Sequence, residues 1–102
     1  MRLNQKEIIL HSFVSESIDD QMVLYNESAQ KVVVVNQSAA FIWNEIVDKY
    51  RQKTDLSTEE IAHLICEKYH LTDNSFLGVC GDIEDTIASF FEASLLSYSS
   101  ET

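Results

Sequence analysis

A chain of 102 residues with 17 acidic against 7 basic side chains carries a formal charge of −10. Its field repels phosphate backbones and anionic lipid, which removes nucleic acid and membrane surfaces from its expected partners. With 45% apolar residues it can cover a core, so composition excludes disorder and predicts one globular domain over residues 1–102.

The first apolar run, Ile8-Ile9-Leu10, is too short for a signal peptide or a membrane span. Phe13 and Val14 are the best strand candidates between Ile8 and Glu16, and Ser17 to Gln21 (SIDDQ) reads as a turn. Met22 to Tyr25 and Lys31 to Val35 are two apolar runs flanking a polar loop, which predicts a β-hairpin. Asn26 is the loop residue best suited to a left-handed backbone.

Four consecutive valines, Val32 to Val35, favour an extended chain because β-branched side chains suit a pleated surface. Asn36 follows as a strong N-cap, so a helix is expected from Gln37, with Ala39, Trp43, Ile46, Val47 and Tyr50 on its core face. A second helix is signalled at Thr58 by the Ser57/Glu60 capping box and the Leu56/Ile61 staple. Its expected stripe is Ile61, Leu64, Ile65 and Tyr69, and it ends near His70. Gly78 and Gly81 weaken helix before Asp82, although a first turn near Phe76 to Cys80 stays open; from Asp82 to about Leu96, Ile83, Ile87, Phe90, Phe91 and Leu95 recur at helical spacing, leaving a frayed tail over 97–102. Three strands and then three helices predict an α+β domain, winged-helix-like, with a three-stranded antiparallel sheet.

No phosphate loop, nucleophile elbow or iron–sulfur cysteine triplet occurs, so nothing points to an enzyme or to a cofactor. His63, Cys66 and His70 share one helical side, with Cys80 a conceivable fourth ligand, but no second shell is evident and the expected metal content is none. Cys66 and Cys80 form no C-x-x-C pair, which fits reduced thiols and a cytoplasmic protein. The valine strand differs from these features. In a linear sheet order it lies at the edge, apolar on both faces and blunted only by Lys31, which calls for a cover: another part of the chain, a partner strand or a second copy in a homodimer.

Val35, Asn36, Ser38, Ala39, Ala40, Ile42 and Trp43 resemble the LN-x-(S/T)-A-x-x-(I/L)-W junction of the PqqD-like family of precursor-peptide recognition elements. Val23-Leu24-Tyr25, Thr58 to Ile65 and Asp82 to Leu96 follow that family's order and spacing. The resemblance implies a non-catalytic module that binds the leader segment of a ribosomally made precursor peptide. It would present that leader to a modifying enzyme, such as a radical enzyme or a leader peptidase. In that family the leader adds as a strand to the third strand and packs against the third helix. The role transfers to Lys31, Val32, Val33, Val34 and Val35, and to Ile83, Thr86, Ile87 and Phe90. The competing assignment, a winged-helix DNA-binding regulator, needs a basic recognition helix, and the second and third helices offer Lys68 alone.

Overall fold

The computed structural model describes residues 2–3 and 8–98. In chain order they form β1 (Arg2–Leu3), β2 (Ile8–Leu10), β3 (Val14–Ile18), β4 (Gln21–Asn26), β5 (Lys31–Val35), α1 (Gln37–Arg51), β6 (Leu56–Ser57), α2 (Thr58–Lys68), a 3-10 turn at Asp73–Ser75, α3 (Phe76–Glu92) and β7 (Leu96–Tyr98). The three-stranded antiparallel sheet has the order β3-β4-β5, and β1 pairs with β6 and β2 with β7. The α+β class and the order of sheet before helices are as expected.

Three expectations about turns and the tail change. The first turn is tighter than Ser17 to Gln21: Ile18 pairs with Gln21, and only Asp19 and Asp20 link the strands, with Asp19 at φ 55°. In the second hairpin the left-handed residue is Gln30, also at φ 55°, not Asn26. Asn26 is buried and occupied on both sides, since its Oδ1 accepts from Ala29 N–H at 3.1 Å and its Nδ2 donates to Ser94 O at 2.6 Å. It ties the hairpin to the chain beyond α3. The tail is the third change: Leu96–Tyr98 pairs with Ile8–Leu10, supported by His11 Nε2 against Ser97 Oγ at 2.7 Å and by Phe91 stacked on Tyr98. Residues 99–102 lie outside the described part.

Both anticipated caps form. Asn36 Oδ1 accepts from Ala39 N–H at 2.9 Å, and Ser57 Oγ accepts from Glu60 N–H at 3.2 Å, each filling one orphan donor of a first helical turn. The helices stop without glycine. Lys53, His70 and Ser94 take the left-handed conformation, and the N–H groups of Thr54, Leu71 and Leu95 then reach back to the carbonyls of Lys49, Cys66 and Phe90.

The core lies between the inner sheet face and the helices. Leu24 and Val35 from the sheet meet Ile42, Trp43, Ile46 and Val47 of α1, Ile61, Ala62 and Ile65 of α2, and Ile83, Ile87 and Phe90 of α3. Trp43 sits edge-on to Phe13 at 5.0 Å and to Phe90 at 4.9 Å between ring centres. Leu64 and Tyr69, expected in the stripe of α2, are more than a third exposed, and Ala62 takes the inward place.

Helix α3 begins at Phe76, six residues before Asp82, and runs through both glycines. A Cβ at Gly78 or Gly81 would meet nothing within 4 Å, so neither glycine answers a steric need. Gly78→Ala and Gly81→Ala are each expected to raise stability by about 0.5–1 kcal/mol in urea unfolding, through lower unfolded-chain entropy. A loss of stability would show that the bare backbone serves a contact.

Candidate functional site

Strand β5 pairs with β4 through Met22 to Val35, Val23 to Val34, Leu24 to Val33, Tyr25 to Val32 and Asn26 to Lys31, and its other edge is free in the sheet. Alternation splits its valines. Val35 is buried and Val33 half-buried on the inner face, whereas Val32 and Val34 remain 58% and 55% exposed on the outer face. Register places Val14, Ile18, Val23 and Tyr25 on that same outer face, with Val14 and Ile18 about half exposed. An open row of backbone donors and acceptors therefore borders an apolar surface.

Helix α3 flanks this edge. At one end Lys31 Nζ donates to Glu92 O at 3.2 Å. At the other, Asn36 and Ser38 share a cavity of about 600 Å³ with Asp82, Ile83, Asp85 and Thr86. The five residues of β5 span about 17 Å and the helix from Asp82 to Glu92 about 15 Å, so the stretch of α3 between these two contacts is about as long as the strand. Ile42, Ile65, Tyr69, Leu71 and Val79 complete the cavity lining.

The four α3 residues tied to this site by resemblance are divided by the structure. Ile83 and Thr86 line the cavity, and Thr86 Oγ1 donates to Asp82 O at 2.8 Å. Ile87 and Phe90 are fully buried, with Phe90 against Trp43, so they support the groove from the core side and present no surface to a ligand. The reason is helical phase: Ile83, Ile87 and Phe90 share the inward stripe, and Thr86 falls on its flank. Sequence reasoning missed Tyr69 and Leu71. Tyr69 carried the signal of an aromatic in α2's stripe, while Leu71 lies beyond the helix stop, where periodicity says nothing.

A larger hollow of about 760 Å³ is lined by His11, Phe13, Trp43, Asp48 and Arg51 among others. It touches β3 and β4 at Ser15 and Met22, away from the free edge of β5. Among the described residues no three His, Cys, Asp or Glu side chains converge as metal ligands. The His63 ring packs against Phe76 at 4.7 Å. Burial, then Glu59, Glu84 and Cys66, push the Cys80 thiol upward, away from a reactive thiolate. No described helix is long and apolar enough to cross a membrane.

The structure of TbiB1 in complex with the TbiA(beta) leader peptide resembles this fold with a TM-score of 0.67, at 22% identity, covering 91% of this chain and 100% of that one. No curated protein sequence matches the chain. The family model for coenzyme PQQ synthesis protein D (PqqD) matches residues 21–95, from the start of β4 through the helices to the residue before β7. The matched span contains the free edge, its capped junction with α1 and the flanking helix, and the chain belongs to the PqqD family.

Proposed function

We propose that this chain is a non-catalytic recognition domain for the leader segment of a ribosomally synthesised precursor peptide. The leader pairs with β5 as a fourth antiparallel strand and lays alternate side chains between that edge and α3. The observation that carries this is the free edge of Lys31–Val35, which leads directly into Asn36, a lining residue of the cavity that also holds Ile83 and Thr86. Strand addition obtains affinity from main-chain hydrogen bonds and specificity from pockets for alternate side chains, and both are present. Family membership and the leader-bound complex of the structural relative support the same assignment.

We further propose that the modifying enzyme, such as a radical enzyme or a leader peptidase, docks on the outer sheet face, where exposed Val14, Ile18, Val32 and Val34 share one side of the sheet. Unpaired Cys66 and Cys80 support a cytoplasmic site of action.

Titrating isotopically labelled protein with synthetic leader segments of candidate precursor peptides from reading frames neighbouring its gene tests the proposal. Amide shifts are expected to concentrate on Lys31 to Val35 and on Asp82 to Thr86. Shifts confined to the outer face of α2, or concentration-dependent broadening of β5 without peptide from a homodimer through the same edge, would overturn it.

A further inference from the structure

We infer that the leader taken by this groove carries one bulky apolar side chain, seated among Ile42, Ile65, Val79 and Ile83, next to an arginine or lysine paired with Asp82 and Asp85. The inference rests on the peptide-binding function proposed above and specifies its ligand. A cavity of about 600 Å³ is within the range of roughly 300–1,000 Å³ that engulfs small organic groups, so it accepts a large aliphatic or aromatic side chain. Its apolar lining comes from α1, α2 and α3, and α3 adds two carboxylates beside it.

Asp82 and Asp85 stand three residues apart on α3, both exposed, and both line the cavity. No lysine or arginine lines it. The nearest cation in sequence to the lining residue Tyr69 is Lys68, whose Nζ lies over the Phe41 ring at 4.8 Å. The opposite wall contains the start of α1, a partial charge of roughly +0.5 that the Asn36 amide oxygen already caps, against two full negative charges. A net charge of −10 on the whole chain adds to the attraction for a cation and does not oppose it.

The two ends of the edge differ in sign, with Lys31 at the start of β5 and the two aspartates beyond its end. A strand antiparallel to β5 meets the Asn36 end first. The basic residue and its apolar neighbour therefore precede the strand-forming segment in the leader, and an acidic residue is tolerated after it, near Lys31.

Panning a library of random displayed peptides on the purified chain, and in parallel on the D82N/D85N variant, tests this. Both aspartates are exposed and the changes are isosteric, so the variant keeps its fold. Wild-type selection is expected to enrich a large apolar residue with Arg or Lys within two positions on its N- or C-terminal side, and the variant to keep the apolar preference while losing the basic one. A wild-type-selected peptide should bind the variant about fivefold more weakly at low salt, with the difference shrinking at high salt. Peptides that depend on the β5 edge but show no basic preference would overturn this inference and leave the strand-addition proposal standing. Failure to enrich any peptide sensitive to Val34→Pro would overturn both.

Discussion

Val34→Pro is expected to weaken leader binding roughly 10- to 100-fold in an anisotropy titration, the loss of one or two backbone hydrogen bonds in a strand-addition interface. Val34 lies within the free edge, opposite Val23, and is 55% exposed, so little core packing depends on its side chain. Proline offers no N–H and holds φ near −65°. The edge then loses either a donor to the incoming strand or a rung to β4, and its extended geometry is disturbed in both cases. Val34→Thr keeps the N–H and the β-branch and should stay within about threefold of wild type. Unchanged affinity in a Val34→Pro protein whose amide spectrum remains dispersed would show that the peptide does not pair with β5.

The largest stability effect is expected at Trp43, which is 1% exposed and in edge contact with Phe13 and Phe90. Truncation to alanine removes both ring contacts and leaves a cavity at the meeting point of sheet, α1 and α3, costing about 3–5 kcal/mol. Domains of this size have a total stability of about 5–15 kcal/mol, so the midpoint of thermal unfolding should fall by about 15 °C or more. Trp43 is the single tryptophan, which makes far-ultraviolet circular dichroism the suitable probe. A fall below about 5 °C would mean that Phe13 and Phe90 close over the gap.

These two positions were also the most legible in the sequence. The valine run, the Asn36 cap and the stripe containing Trp43 are local signals: each depends on neighbours within one or two turns, and the structure reproduces them. The cap at Ser57 is legible for the same reason. What escaped depends on distant partners or on unusual residues. The helix stops at Lys53, His70 and Ser94 use left-handed backbones on side chains that rarely adopt them, so no glycine announced them. The early start of α3 runs against the propensity of Gly78 and Gly81, and its packing on α2 outweighs that cost. The cavity draws on α1, α2 and α3 together, and periodicity gives the members of a helical face without saying which flank borders a groove. Ile87 and Phe90 therefore looked equivalent to Thr86 until their burial separated them.

The clasp of β2 on β7 has a bearing on the order of assembly. Closing a chain loop costs entropy that grows with the logarithm of its length, and this clasp encloses nearly the whole molecule, whereas the β4–β5 hairpin encloses only Glu27 to Gln30. The difference is about 3 kcal/mol against the clasp, which returns just three residue pairs. Closure is favoured once α3 is docked, because Asn26 then holds the Ser94 carbonyl just before β7. The β3-β4-β5 meander needs only contacts within residues 14–35, and its nucleation is fast and local. The free edge of β5 thus belongs to the part of the molecule built from local contacts, and the β2–β7 clasp to the part that waits on long-range ones.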